Sequence, residues 1–160
     1  MKKRSVKNDK IYSSCGTRAV ESAEIIAKLY KTDIEVIEDL KPLLCGNWNN
    51  MTLTQIIKKQ PDTLEKFVNL PDEKMCENAE TLTEFVTRVD ETIKGIIEKN
   101  IGNRIIIVTY PDVIQAAIVS ALNLPKDKIF NFFIKTGSAT QISYYDKFTS
   151  LKYSGYVPIY

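Results

Sequence analysis

A polar run near the start of the chain carries the first candidate chemistry. It consists of Ser13, Ser14, Cys15, Gly16, Thr17 and Arg18, between a predicted strand and a predicted helix. The amino terminus of a helix binds anions because its first backbone N–H groups have no partner inside the helix. Serine and threonine at such positions more often serve only as helix caps. The run therefore predicts either an anion site with Ser13, Ser14 and Thr17 or a capped helix start.

Histidine is absent from all 160 residues, which removes the commonest general base, the commonest metal ligand and any phosphohistidine chemistry. The cysteines, Cys15, Cys45 and Cys76, are an odd number at wide spacing. They fit neither a disulfide framework nor a Cys-x-x-Cys metal site. We therefore expect reduced thiols, no metal site and no cofactor.

Two further candidates for catalysis are weak. Thiol phosphatases need Cys-x5-Arg, and the separation of Cys15 and Arg18 is too short for that loop. Tyr110 and Asp112 could form an acid–base pair, but tyrosine stays protonated near neutral pH and more often only fills space. We assign no catalytic residue in this chain.

Strands and helices alternate around these residues. The patterns predict strands at 9–14, 33–38, 104–109, 139–145 and 151–157, and helices at 17–30, from Thr52, from Pro61, at 81–100 and from Pro111. Leu64 and Phe67 would face inward from the helix at Pro61, and a loop around Trp48, its expected anchor, fills 40–50. Glu80 is expected to belong to a helix-start capping pattern.

This alternation predicts a three-layer α/β sandwich with a mainly parallel central sheet. The β-branched run Ile105-Ile106-Ile107-Val108 is typical of a strand buried on both faces, so we expect it to be the central strand. Ligand sites of such sheets lie beyond the carboxyl ends of the strands. Here those ends are Ser13-Ser14 and Thr109-Tyr110.

Composition indicates an ordinary soluble protein, with 44% hydrophobic and 26% charged residues and a net charge of +2. We expect a basic amino-terminal tail, 1–8, and a single domain, 9–160. No basic run follows Lys10, so nucleic-acid binding is not expected. No segment approaches the about 18 apolar residues of a membrane span or the pattern of a signal peptide, so we expect a cytoplasmic protein that does not bind membranes.

Four blocks in order resemble those of the histidine phosphatase (phosphoglycerate mutase-like) superfamily. They are Tyr12-Ser13-Ser14 with Arg18-Ala19, Gly46-Asn47-Trp48, Ala79-Glu80-Thr81 with Phe85 and Arg88-Val89, and Val108-Thr109-Tyr110-Pro111. The corresponding family patterns are Tyr-Ser-Ser-x-x-x-Arg-Ala, Gly-x-Trp-Glu-Gly, Gly-Glu-Ser-x-x-x-Phe-x-x-Arg-Val and Val-Val-Ser/Thr-His-Gly. The resemblance implies the fold of that family, and phosphatase or phosphomutase chemistry for its intact members.

The catalytic residues of the family have no counterparts in this chain. The resemblance places Pro42 at the position of the catalytic acid and Tyr110 at that of the second histidine. The strand ending in Arg-His-Gly and the helix after it would precede the first residue, so we expect a degenerate member without the family's first strand and helix. Loss of a nucleophile alone commonly costs several orders of magnitude in rate.

The resemblance also places Arg18 in the phosphate pocket, where a guanidinium can hold two oxygens at once. The alternative for Arg18 is an ordinary ion pair with Asp112 or Glu21. Our leading hypothesis is a pseudo-phosphatase that binds a phosphorylated small molecule, through a vestigial site of Arg18, Ser14 and Thr17, or a partner protein. The alternative is a residual or repurposed phosphatase or mutase-like hydrolase of phosphate esters.

A sheet without the family's first strand would leave backbone groups unpaired beside 104–109. Three arrangements could satisfy them. The strand at 139–145 could move in, the start of the chain could fold back, or a second molecule could cover the edge. The third predicts a homodimer or a heteromeric protein partner at the exposed sheet edge.

Overall fold

The computed structural model of the protein describes residues 10–49, 51–62, 65–66 and 69–157. The chain divides into two compact units, Met1–Lys41 with Glu91–Tyr110, and Pro42–Asp90 with Pro111–Tyr160. The predicted basic tail lies outside the described residues. The expectation of one domain over 9–160 stays a prediction.

The first unit contains a parallel three-stranded sheet with the order β2-β1-β3. Its strands are β1 (Lys10–Ser14), β2 (Ile34–Ile37) and β3 (Ile105–Val108). Ile11 of β1 pairs with Ile34 on one side and with Ile106 on the other. The predicted α/β class with a parallel sheet is confirmed.

Helix α1 (Thr17–Tyr30) covers this sheet with its small residues. Ala23 and Ala27 are buried with Ile11, and the partly buried residues packed against them are Ile26, Ile34, Ile106 and Val108. Small side chains let the helix backbone approach the sheet closely, which fixes the position of the helix start beside the end of β1.

The expectation that 104–109 forms the central strand is wrong. β1 occupies the middle of the sheet, and β3 lies at its edge with all four residues only partly buried. The β-branched run predicted burial on both faces, but such a pattern reports β-propensity and not position in a sheet. Among the described residues, β3 pairs with β1 alone.

Among its described elements, the second unit contains an antiparallel pair, β4 (Ala139–Tyr144) and β5 (Thr149–Tyr156), and the helices α2 (Leu53–Lys59) and α4 (Pro111–Ala121). The long helix α3 (Leu82–Glu98) begins in this unit and ends in the first. Its predicted apolar side is confirmed as buried at Leu82, Phe85, Val86, Val89, Ile93 and Ile96. In the helix predicted to start at Pro61, the two residues that we expected to face inward, Leu64 and Phe67, lie outside the described residues.

The strand predicted at 139–145 does not move in beside 104–109. It pairs with β5 in a sheet of its own. The arrangement in which the start of the chain folds back concerns residues outside those described. In the described part of the chain, no helix is long and apolar enough to cross a membrane.

Candidate functional site

The end of β1 combines full burial with an unsatisfied polar group. Ser13 and Ser14 are both completely buried. Ser13 Oγ donates to the backbone oxygen of Ser14 at 2.9 Å. Ser14 Oγ has no hydrogen-bond partner among the described residues. A buried hydroxyl without a partner costs about 1–3 kcal/mol, so Ser14 is a group that an added ligand atom could satisfy.

Helix α1 starts two residues later without a side-chain cap. Gly16 is the N-cap in an extended conformation, and no side chain accepts a bond at this end. The amides of Ala19 and Val20 both donate to the Gly16 carbonyl. Within the described chain, the amides of Thr17 and Arg18 have no acceptor. The alternative in which serine or threonine caps this helix is therefore not found here.

Arg18 lies over the ring of Tyr110, with Cζ 5.5 Å from the ring centroid, within the range of a cation–π contact. Its side chain is exposed, and in the described residues no carboxylate, that of Glu21 included, forms an ion pair with it. A guanidinium held by an aromatic face keeps its N–H groups free for an anion.

Tyr110 also packs against the helix start. A Cβ on Gly16 would overlap the Tyr110 hydroxyl oxygen, so the ring fits only against a glycine. β3 ends beside it, where Thr109 Oγ1 donates to the carbonyl of the buried Leu40 at 2.9 Å. Ser14, Gly16, Arg18 and Tyr110 thus meet at the carboxyl end of the parallel strands, as predicted from the strand order.

Cys15, at the same end of β1, is a poor nucleophile. Hydrogen bonding to Glu38, burial and the charge of Glu38 raise the pKa of the Cys15 thiol. The thiolate is the attacking species, so a raised pKa leaves little of it near neutral pH. That Cys15 is not catalytic stays a prediction, which the raised pKa of its thiol supports.

The loop that includes Pro42 is described within the second unit. Pro42 is half-buried and has no group that could donate a proton. Beside it in the chain, the Leu43 amide donates to Asp112 Oδ2 at 2.8 Å, while Asp112 Oδ1 accepts from Val113 at 3.0 Å. Asp112 therefore holds the loop to the start of α4 through Oδ2, and its Oδ1 is bonded to the next amide of the helix itself.

Glu80 corrects a prediction, because it is not part of the cap of α3. The capping box is formed by Thr81 and Glu84, whose backbone amides each donate to the other's side chain at 2.8 and 3.0 Å. The hydrogen bond from Thr81 is the main cause that lowers the pKa of Glu84. Glu80 instead binds Arg88 through two parallel bonds of 2.8 Å.

The Glu80–Arg88 pair and the Leu43–Asp112 bond were missed by the sequence reasoning. Glu80 and Arg88 are eight residues apart, outside the i,i+4 spacing that marks helical pairs, and Leu43 contributes only a backbone amide. The residue types at these positions therefore give no indication of either contact.

Trp48 is buried at 8% exposure, in agreement with its predicted role as a loop anchor. Among the described residues, no group of three or more His, Cys, Asp or Glu could hold a metal ion.

Comparison with known proteins gives two curated relatives. The chain is 20% identical over 135 residues to an adenosylcobalamin/alpha-ribazole phosphatase of Escherichia coli, with 84% of this chain and 66% of that protein covered. It is 30% identical over 108 residues to phosphoglycerate mutase-like protein 4 of Arabidopsis thaliana, with 66% of this chain and 47% of that protein covered. The chain thus spans between about half and two thirds of the length of these relatives.

A solved structure, that of Bacillus stearothermophilus YhfR, superposes with a TM-score of 0.85 at 23% identity and covers 97% of this chain and 77% of that one. At that identity the likeness establishes the fold. The family model of the histidine phosphatase superfamily, branch 1, matches residues 2–155. The order of the four sequence blocks, the parallel sheet and these matches agree, and the chain belongs to the histidine phosphatase superfamily.

Proposed function

We propose that this chain binds the phosphate group of a small molecule at the end of β1 and does not transfer it. The observation that carries the proposal is a set of polar groups near the end of β1 that have no hydrogen-bond or ionic partner among the described residues. They are the buried hydroxyl of Ser14, the first amides of α1 and the guanidinium of Arg18. A phosphate oxygen accepts from all three kinds of donor.

Each group has a distinct role in such a complex. The amides of Thr17 and Arg18 and the positive end of the α1 dipole would stabilise the anion. Arg18 would supply the charge and a planar pair of donors, and the Tyr110 ring would hold it in place. The Ser14 hydroxyl would gain the partner that the protein itself does not provide.

The absence of transfer follows from the residues within these 160 positions. These 160 residues contain no histidine to take a phosphoryl group, and the family resemblance places Tyr110 at the position of the second histidine. Pro42, at the position of the acid, cannot protonate a leaving group, and the raised pKa of Cys15 makes its thiol a weak nucleophile. A site without nucleophile or proton donor retains binding and loses the chemical step.

The family supports phosphate esters as the ligand class. The curated relatives are named as a phosphatase and a mutase-like protein, and the ligand proposed here shares the phosphate group that those names imply. The proposed recognition concerns the phosphate group, since fold alone does not specify the rest of a substrate.

The test is a thermal-shift and calorimetric titration of the purified protein with inorganic phosphate and a panel of phosphorylated metabolites. A ligand that binds only the folded state stabilises it by about 2.7 kcal/mol at a hundredfold excess over its Kd. We expect at least one compound to raise the melting temperature, and Arg18→Ala to weaken its binding by about tenfold or more. Arg18→Lys should fall between, because it keeps the charge but loses the planar fork.

Arg104→Ala provides the matched control, since it removes an exposed arginine that lies outside the set. Equal binding by wild type and Arg18→Ala would contradict the proposal. Hydrolysis of phosphate esters that persists through purification and disappears in Arg18→Ala would contradict the claim that the site lacks chemistry, and would favour a residual phosphatase.

The open edge of β3 favours a second candidate, association with a second copy of the chain. In the described residues, Ile105, Ile106, Ile107 and Val108 pair on one side only and are partly exposed. An edge strand without charge or proline readily pairs with another strand. Two copies related by a two-fold axis would present identical β-branched residues to each other.

Sedimentation over a series of concentrations tests this candidate, together with hydrogen exchange of the β3 amides. We expect a dimer whose formation slows exchange at 105–108 as concentration rises. A monomer throughout, or a dimer without slower exchange in β3, would contradict the candidate. Binding of a different protein at this edge would show that the partner is another protein and not a second copy of the chain.

A further inference from the structure

Two cysteines lie next to each other in the second unit, although they are far apart in the chain. Cys76 Sγ donates to the backbone oxygen of Cys45 at 3.2 Å, across a separation of 31 residues. Cys45 Sγ lies 3.6 Å from the backbone oxygen of Leu43. Both thiols are free and half-buried. Neither side chain is engaged in more than a weak S–H bond to a carbonyl.

The backbones that carry the two cysteines are in close contact. Cys45 forms an isolated antiparallel bridge with Ala79, and Ala79 donates to the carbonyl of Cys76 at 3.2 Å in a tight turn. Flanking bonds run from Glu80 to the Leu44 carbonyl at 2.9 Å and from Asn47 to the Glu77 carbonyl at 3.2 Å. The segments 44–47 and 76–80 are therefore fixed against each other on both sides of the cysteine pair.

Gly46 shows how close this approach is. A Cβ on Gly46 would overlap the carbonyl oxygen of Glu77 and the amide nitrogen of Ala79. A disulfide requires Cα atoms about 4.4–6.8 Å apart, a separation found between strands in contact and across tight turns. The Cys76 Sγ lies 3.2 Å from the Cys45 backbone oxygen, so the two residues are in contact and the disulfide needs their side chains to rotate toward each other.

We propose that Cys45 and Cys76 are a redox-sensitive pair that forms a reversible disulfide, which fastens the loop at 43–48 to the segment 76–80. The oxidant is a small disulfide such as glutathione disulfide. One cysteine thiolate attacks it and releases one glutathione as thiol. The second cysteine then attacks the mixed disulfide and releases the other glutathione. The protein loses two hydrogens and one glutathione disulfide becomes two thiols.

The environment of Cys45 suggests the order of these attacks. Burial, and the charges of Asp112 and Cys76, raise the pKa of the Cys45 thiol. Because the thiolate is the attacking species, this environment disfavours Cys45 in the first step. The inference is independent of anion binding at Arg18, since it concerns only residues of the second unit.

The test equilibrates the full-length protein, kept dilute, with glutathione buffers of increasing oxidised fraction. The mixture is quenched with acid, free thiols are alkylated, and the products are mapped by mass spectrometry. We expect a monomer that loses two hydrogens, a peptide pair joined through Cys45 and Cys76, and an alkylated Cys15. Reduction by excess dithiothreitol should restore all three thiols.

Cys15→Ser is the matched control and should oxidise like the wild type, whereas Cys45→Ser and Cys76→Ser should form no intramolecular bond. The oxidised wild type should melt about 5 °C or more above the reduced form, because the crosslink constrains the unfolded chain. Three alkylated thiols at every buffer ratio would overturn the proposal. So would a disulfide that involves Cys15, or one that links two molecules.

Discussion

Two regions differ in whether their polar groups have hydrogen-bond partners. One is the carboxyl end of β1, and the other is the loop pair, which consists of the segments 43–48 and 76–80. At the end of β1, the Ser14 hydroxyl, the first amides of α1 and the Arg18 guanidinium have no hydrogen-bonding or ionic partner within the described chain. In the loop pair, the amides of 43, 44, 47 and 80 are all bonded, and Glu80 is held by Arg88.

This difference distinguishes a candidate binding site from a region that stabilises the fold. An unpaired buried group such as the Ser14 hydroxyl costs stability, whereas the first amides of α1 and the exposed Arg18 guanidinium have donors available for a ligand. Paired groups fix the backbone and have little capacity left to bind anything else. By this criterion the polar groups around Ser14 are the candidates for function, and Glu80, although it lies in a family motif, is structural.

The largest expected effect is in the loop pair, at Gly46. Gly46 has φ of 51° and a Cβ there would overlap backbone atoms, which cannot rotate away. We expect Gly46→Ala to lower the free energy of unfolding by about 3–4 kcal/mol in urea denaturation. Gly102→Ala is the control, because φ there is 78° and nothing lies within 4 Å of the added Cβ. It should cost only about 1 kcal/mol. Equal losses would show that the two segments are not in contact.

The second largest effect is expected for Glu80→Gln. Arg88 and Glu80 have side chains only 16% and 10% exposed, so removal of the carboxylate charge breaks a largely buried ion pair. We expect a loss of about 2 kcal/mol in the free energy of unfolding. The Glu38–Lys41 pair offers a control, since Glu38 is 68% exposed, and Glu38→Gln should cost about 0.5 kcal/mol or less. A double-mutant cycle of Glu80 and Arg88 with near-zero coupling would contradict the role given to this pair.

The sequence predicted the elements of this protein better than their contacts. The limits of α1 and the buried side of α3 follow from helical periodicity, which is local information. The place of β3 at a sheet edge depends on which strands pair, and its run of β-branched residues contains no information about partners.

The candidate site shows the same division. Ser14, Thr17 and Arg18 were predicted as a group because they are close in the chain and resemble a family motif. The position of the Tyr110 ring under Arg18 and against Gly16 depends on the β1–β3 register, which brings residues from two distant segments together. The missing side-chain cap of α1 could not be predicted either, because serine and threonine surround Gly16 and a cap was the more common expectation.

Gly16 offers a test of that tertiary contact. Its φ is −71°, so alanine meets no backbone strain, and the obstacle is the Tyr110 side chain, above all its hydroxyl oxygen. We expect Gly16→Ala to lower the free energy of unfolding by about 1–2 kcal/mol, because the ring must move aside. Tyr110→Phe should relieve part of that loss by removing the overlapping oxygen. Additive effects of the two substitutions would contradict the contact, since residues that touch show coupling of about 0.5 kcal/mol or more.

The smallest expected effect is at Ser14, where the sign of the change in the free energy of unfolding is informative. Ser14 and Ser13 are neighbours of equal burial, but only Ser13 has a hydrogen bond. Ser13→Ala should therefore destabilise the protein by about 1 kcal/mol. Ser14→Ala removes a buried hydroxyl without a partner and should stabilise it by about 0.5–1 kcal/mol, while weakening the binding of any phosphate compound found at this site. Urea denaturation of both variants, with titration of the ligand, separates the two roles. If Ser14→Ala were as destabilising as Ser13→Ala, the hydroxyl would have a protein partner and the end of β1 would belong with the supporting regions of the molecule.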